Sequence, residues 1–458
     1  MGNCYFRCTY FIFCILLESS FVLAENPADT VNLVTKTQTE KKTKPFNFGP
    51  LPVIAYNTDI GFQYGLLLDI YYYGDRKIFP KYYHSLYLEV SRTTKGSGIN
   101  QVFYDSEHLI RGIRTTIDVT YLTERALDFY GFNGYRAVYH HSWENDKDTA
   151  DYKTRMFYRL DRQLFRCGLS FQGKFFTEHI KWLAGLTVFS VHIGSVNIDR
   201  FNKGLKENKK LPDVPALYDH YVQWGVLDDG ERSGGMNNFI KLGLIFDTRD
   251  NEPNPMHGMW SELVLIVAPD FLSSNNFGFV KLSVIHRHYF TIIKDRLSFA
   301  WRLGYQGTIL GKAPFYLQPI MFNSWEKTTT IDGLGGSRNL RGILRDRVVG
   351  DGITYGNAEF RWKFYRFRLL RQNFYLALNA FADEGMVVQM IKFDKSLIPL
   401  SVEQSQYFSD AEDYPHLCAG GGFRIVMNEN FVICADYGQA IDKRDGIRGI
   451  YVGFGFLF

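Results

Sequence analysis

Few side chains in this sequence stand at spacings that suit catalysis. His140-His141-Ser142 sets two imidazoles beside a hydroxyl, the raw material of a base and a nucleophile. The run that follows, Trp143-Glu-Asn-Asp-Lys-Asp, is rich in turn-formers, so the segment reads as a solvated turn. Asp228-Asp229 offers adjacent carboxylates, which could serve acid–base work or calcium. Followed by Gly230, they read as the hydrated end of a strand. There is no Gly-x-Ser-x-Gly elbow and no His-Glu-x-x-His helix. Cys4, Cys8 and Cys14 fall in the apolar N-terminus, leaving Cys167, Cys418 and Cys434. Three thiols make no disulfide framework; a single Cys418–Cys434 bridge is the minor alternative to buried or lipid-facing thiols. No CxxC pair or His/Cys cluster suits zinc. No catalytic residue, metal or cofactor is therefore expected, and the chain does not read as an enzyme.

A different chemistry is available in Phe381-Ala-Asp383-Glu-Gly385. In a strand, period two puts Asn379, Phe381 and Asp383 on one face and Leu376, Leu378 and Ala380 on the other. An arginine laid over that ring with the carboxylate behind it gains a cation–π contact and a charge-assisted hydrogen bond.

The elements that would carry such a site are strands. The chain has 458 residues, 16% aromatic and 22% charged, with 41 Gly and 14 Pro. That aromatic content excludes disorder. A spanning helix needs about 20 consecutive apolar residues, and no such run exists beyond the N-terminus. The net charge of +4 is too mild to indicate a nucleic-acid partner. Residues 1–24 read as a secretory signal peptide, with Arg7, an apolar core from Tyr10 to Leu17, and Val22-Leu23-Ala24 before the cut. Residues 25–47 form a polar, lysine-bearing leader, and residues 48–458 the folded part.

From about residue 50 one theme repeats: roughly ten residues alternate apolar and polar, then break at Gly, Asn, Asp or Lys. Ala358, Phe360, Trp362 and Phe364 take one face; Asn357, Glu359, Arg361 and Lys363 take the other. Residues 85–91, 116–121 and 239–247 show the same pattern. Charges on the polar face of central-looking strands suit a wet lumen better than a protein core. The last strand sets Ile450, Val452, Phe454, Phe456 and Phe458 on one face, toward lipid. Among β structures only a closed sheet satisfies every main-chain group in lipid. The first strand is expected at Gly61-Phe-Gln-Tyr-Gly-Leu-Leu-Leu-Asp-Ile-Tyr. The fold class is all-β: a transmembrane antiparallel barrel of about 16 strands with long extracellular loops. Segments 196–237, 310–352 and 386–416 are too long for tight turns and read as those loops.

The segment Gly333-Leu-Gly-Gly-Ser-Arg-Asn-Leu-Arg341-Gly342-Ile343, with the strand from Tyr355 to Arg361, resembles the BamA/TamA family of outer-membrane assembly barrels, the bacterial surface antigen superfamily. Phe246-Asp-Thr-Arg-Asp-Asn251, Asp128-Phe-Tyr-Gly-Phe-Asn133, Phe381-Ala-Asp383, Asp436-Tyr-Gly438 and the closing Gly453-Phe-Gly-Phe456 extend the resemblance over nearly the whole barrel. It implies that the loop folds back into the lumen and that Arg341 and Gly342 at its tip meet Phe381 and Asp383. Asn357, Glu359 and Arg361 would then line the lumen nearby, and Phe454, Phe456 and Phe458 would form the C-terminal barrel signal. Leu340 and Ile343 depart from the family's usual β-branched and aromatic residues, which should loosen the packing around the tip. About 25 residues between the signal and the barrel cannot hold a POTRA module, so a barrel-only member is expected.

The resemblance further implies a place in the bacterial outer membrane and a role in inserting or translocating proteins, or lipids, through a lateral seam. Its partners would be outer-membrane lipids, unfolded outer-membrane client proteins and a separate periplasmic protein in place of the POTRA modules. The alternatives are a passive pore, whose lumen charges would set ion selectivity, and a surface-exposed binding barrel worked by its loops.

Overall fold

Alternation at period two over long, unequal segments yields one closed wall. The computed structural model describes residues 45–458, apart from 58–60, 76–81, 148–149, 253, 275, 325–330, 370–371 and 430. The expected signal peptide and nearly all of the leader lie outside the described residues. In chain order the strands are β1 (Phe46–Asn57), β2 (Gly61–Tyr72), β3 (His84–Thr93), β4 (Gly98–Ile110), β5 (Ile113–Asp128) and β6 (Arg159–Phe175). Next come β7 (Thr177–Gly194), β8 (Gly234–Asp247), β9 (Gly258–Ala268), β10 (Phe279–Ile293) and β11 (Leu297–Gly311). A two-residue pair, β12 (Ile320–Met321) and β13 (Ile331–Asp332), lies within the next connection. The wall ends with β14 (Gly352–Leu369), β15 (Gln372–Gln389), β16 (His416–Met427), β17 (Phe431–Ala440) and β18 (Arg448–Phe454). All except β12 and β13 join neighbour to neighbour in a closed antiparallel barrel of 16 strands.

The two faces divide as the alternation requires. Phe360 and Trp362 are 51% exposed on the outer wall, where lipid covers them, while Asn357, Glu359, Arg361 and Lys363 point inward and are buried. On β8 the outward Leu242 and Leu244 are exposed and Lys241 is buried in the lumen. The first strand is β1, upstream of the expected Gly61 start. Pro50 and Pro52 disguise it, because proline within a run is a signal against a strand except at a sheet edge.

Long connections 195–233, 312–351 and 390–415 gather at one end, with a fourth, 129–158, that the sequence did not flag. By the asymmetry of such barrels this is the extracellular end. The fourth loop is not a solvated turn. Trp143 is buried against Phe157 at a centroid distance of 4.9 Å and stacks on His140 at 4.2 Å. Aromatic residues outbid the turn-formers around them because the four loops share one apolar core. The short helix Leu217–Gln223 supplies Leu217, Tyr218 and Tyr221 from one face, and Phe129, Phe132, Phe315 and Phe408 close around them. These loops thus form an apolar dome over the outer mouth. Lys153 lies 3.2 Å from the centroid of the Trp143 ring. Burial pushes its ammonium down to about 8, while the ring face works in the opposite sense.

Tyr221 is the keystone of the dome, buried within 5.5 Å of Phe129 and 5.6 Å of Phe408 between ring centroids. Tyr221→Ala removes a large buried ring, a change that costs about 3–5 kcal/mol in well-packed cores. Limited proteolysis of intact cells should then cut loops 129–158 and 390–415 much faster, while the barrel keeps its heat resistance. Unchanged loop cleavage would contradict this packing role.

Candidate functional site: loop tip and seam

The connection between β11 and β14 turns back into the lumen, and its tip meets the inner faces of β14 to β18. Asn339 ties the tip together: its side-chain oxygen accepts the Gly335 and Leu340 N–H groups at 2.7 Å each, and its amide donates to the Gly333 carbonyl at 2.7 Å. Asn357 on β14 donates to the Asn339 carbonyl at 2.6 Å and accepts from Arg302 Nε at 2.8 Å, fixing the loop to the wall.

Arg341 sits at the tip, 1% exposed. Its guanidinium forks onto Asp383, Nε to Oδ2 at 3.0 Å and Nη2 to Oδ1 at 2.9 Å, and Nη1 reaches Glu359 at 2.5 Å. The main-chain N–H of Arg341 also donates to Asp383 Oδ2, at 3.1 Å. The guanidinium centre lies 3.5 Å from the centroid of the Phe381 ring. One cation, two carboxylates and a ring face fix the depth, rotation and tilt of the tip together, which a lone lysine charge could not do. Gly342 has φ 105°, and a Cβ there would lie 2.4 Å from the Gly438 carbonyl carbon. Only glycine lets the tip touch β17 this closely. Its N–H donates to the Tyr451 hydroxyl on β18 at 3.0 Å.

Leu340 and Ile343 are fully buried with Leu334, Val348, Tyr355, Val387 and Cys418. The expected loosening around them is therefore absent: these branched aliphatic side chains fill the space that other residue types would take. Above the tip, Leu344 N–H donates to the Asp445 carbonyl at 2.8 Å. Arg347 caps the carbonyls of Gly134, Ala137 and Arg444 at 3.0–3.1 Å, tying the loop to the dome.

From Glu359 the polar chain continues along the inner wall toward the periplasmic end. Its second oxygen accepts Arg361 Nε at 2.8 Å, and Arg361 Nη2 donates to the Phe458 main-chain oxygen at 2.9 Å. Here the sequence expectation fails. Phe454 is exposed on the outer wall, but the strand ends there; Gly455 has φ 87° and the chain turns into the lumen. Phe458 is buried beside Tyr289 and Ala300, 5.1 Å from both Arg302 and Arg361, and Phe456 lies 4.5 Å from Arg361. Phe456 and Phe458 therefore do not continue the lipid-facing row of β18.

β1 and β18 meet through two residue pairs, Tyr56↔Val452 and Asn57↔Tyr451, among the described residues. On its other side β1 pairs with β2 along its whole length, from Phe46↔Tyr72 to Asn57↔Gly61. The wall thus has one weak seam, beside the strands that the loop tip touches.

The structure thus gathers Arg341, Gly342, Phe381, Asp383, Asn357, Glu359 and Arg361 into one lumen network. Sequence reasoning missed Asn339, Arg302, Arg424 and Tyr451. Arg424 forks onto Asp436 at 2.7 and 2.9 Å, and Asp436 stands 3.8 Å from Arg341. Inward parity on β16 and β17 was the available signal. A second buried network, Arg162 with Asp332 and Glu124 and Arg345 with Glu124, binds the same loop to β5 and β6. No local motif announces it.

The other candidates are held in structural contacts. His140 Nε2 meets the Gln406 carbonyl at 2.9 Å, and His141 the Tyr139 hydroxyl at 3.2 Å. Asp228 pairs with Lys312 and Asp229 with Arg232. Cys167, Cys418 and Cys434 are free thiols; the register sets Cys418 opposite Ala440 and Cys434 opposite Arg424, too far along the strands to bridge. Among the described residues no group of three or more His, Cys, Asp or Glu is placed to hold a metal ion.

A closed 16-stranded barrel with a long loop buried in its lumen and a two-pair seam defines an outer-membrane barrel of a particular kind. Residues 84–458 match the Omp85 superfamily domain, so the chain belongs to the Omp85 superfamily, as a bacterial outer-membrane β-barrel. Among solved structures it is similar to BamA from Haemophilus ducreyi lacking POTRA domains 1–3, at 12% identity and a TM-score of 0.53, over 98% of this chain and 78% of that one. It is also similar to CdiB from Escherichia coli, at 12% identity and a TM-score of 0.51, over 90% of this chain and 63% of that one. The chain thus spans less than two thirds of that CdiB. No curated protein matches it.

Proposed function

We propose that this barrel inserts or translocates proteins, or lipids, at the bacterial outer membrane by way of the seam between β1 and β18. The observation that carries this reading is the two-pair junction between these strands in a wall otherwise paired along long registers. Unpaired edge groups in hydrocarbon are costly, so an incoming strand that supplies partners is favoured there. The loop tip, held by Arg341 and bonded to Tyr451, would keep β18 in shape while the neighbouring seam opens. In this reading the work is mechanical and not enzymatic. The partners are outer-membrane lipids, unfolded outer-membrane clients and a periplasmic protein that delivers them. A passive pore is the weaker alternative, since an apolar dome covers the outer mouth.

Depletion in the native host followed by quantitative proteomics of the outer membrane tests the proposal. A joint fall of many unrelated barrels is the expected result. An unchanged barrel proteome would refute general assembly and leave a single-client translocator, a pore or a surface-binding role.

A further inference from the structure

β1 reads Phe46-Asn-Phe-Gly-Pro50-Leu-Pro52-Val-Ile-Ala-Tyr56-Asn57. Along a strand, the N–H and C=O of one residue point to one neighbour and those of the next residue to the other. The Pro45 carbonyl accepts the Tyr73 N–H at 2.8 Å, so odd positions of β1 face β2. Phe46, Phe48, Pro50, Pro52, Ile54 and Tyr56 therefore face β18. On the opposite lip Gly455 N–H donates to the Val432 carbonyl at 2.9 Å, so even positions there face β1. Continuing the register from Tyr56↔Val452 sets Ile54 against Phe454, Pro52 against Phe456 and Pro50 against Phe458. The last two places where the ladder would exchange bonds are thus prolines. Each lacks an N–H, and each ring crowds the carbonyl that would approach it. The chain leaves the sheet at Gly455, one residue before the first of them. Its unpaired oxygen at Phe458 is met instead by Arg361 in the lumen.

We propose that Pro50 and Pro52 hold the periplasmic half of the seam unzipped, and that Phe456–Phe458 rest in the Arg302–Arg361 cage because the β1 edge cannot bond them. The same gap faces any extended segment that docks on this lip. In this register Phe46, Phe48 and Ile54 offer donors, and the two central positions offer none. The partner that fits is a strand that engages loosely and can be released. This last clause rests on the function proposed above; the opening of the seam does not.

Disulfide trapping in the purified, refolded chain in lipid vesicles separates the two. Leu51→Cys with Leu457→Cys marks a non-hydrogen-bonded pair of the extended register, where Cα atoms come close enough to bridge. Cross-linked peptides identified by mass spectrometry keep the native thiols out of the reading. With both prolines present this pair should stay near background. With Pro50→Val and Pro52→Val most of the protein should cross-link, and Pro52→Val alone should give an intermediate yield. Tyr56→Cys with Val452→Cys should cross-link in every background and reports that the barrel has formed. Equal trapping of 51 with 457 in the native background would overturn the proposal. So would background trapping in the valine variants while the control pair forms. Neither result depends on what the barrel transports.

Discussion

Arg341→Ala should give the largest loss of barrel stability of any single change at the loop tip. The substitution leaves Asp383, almost fully buried, without the cation that neutralises it, and takes from Glu359 one of its two arginine partners. Removing one partner of a buried pair costs about 3–5 kcal/mol, and the cation–π contact with Phe381 is lost as well. The measurement is the temperature at which the folded band converts to the unfolded one on a detergent gel. It should fall well below that of the native chain. Arg341→Lys should recover only part, since an ammonium keeps the charge but neither the fork nor the flat stack on Phe381. Adding Asp383→Asn to Arg341→Ala should also recover part, because the stranded charge is removed. A native conversion temperature for Arg341→Ala would show that the network contributes nothing.

Gly342→Val should lift the tip from β17 without touching any charge. The position has φ 105°, costly for any side chain and more so for a β-branched one. The new Cβ would meet the main chain of Gly438 at 2.4 Å, and main chain cannot turn aside as a long side chain can. The bond from Gly342 N–H to Tyr451 would break with it. Cys418 reports the displacement, because it is buried in the cluster that holds Leu340 and Ile343. In the native chain its thiol should resist an alkylating reagent; in Gly342→Val it should label readily. Continued protection of Cys418 would show that the tip stays seated.

Much of this architecture was legible in the sequence because alternation is a local property. The inward Asn357, Glu359 and Arg361 and the outward Phe360 and Trp362 follow from parity alone, and the barrel wall follows from many such segments. The pairing of Arg341 with Phe381 and Asp383 was reached through resemblance, since 40 or so residues separate partners that only the closed fold unites. What stayed hidden was non-local or carried by exceptions. Trp143 looked solvated because its neighbours are polar; its burial comes from Phe157 and Tyr407, on its own and another loop. β1 was passed over because Pro50 and Pro52 speak against a strand, although an edge is where prolines are tolerated. The same prolines explain the misplaced Phe456 and Phe458. Parity placed them toward lipid, but a strand continues only where its neighbour can bond it.

In the function proposed above, the seam must part for the barrel to work. Tyr56→Cys with Val452→Cys would fasten the existing junction with a disulfide. In cells depleted of the native chain, this variant should fail to maintain the outer-membrane barrel proteome while oxidised and restore it on reduction. Full maintenance with the disulfide demonstrably closed would contradict the account.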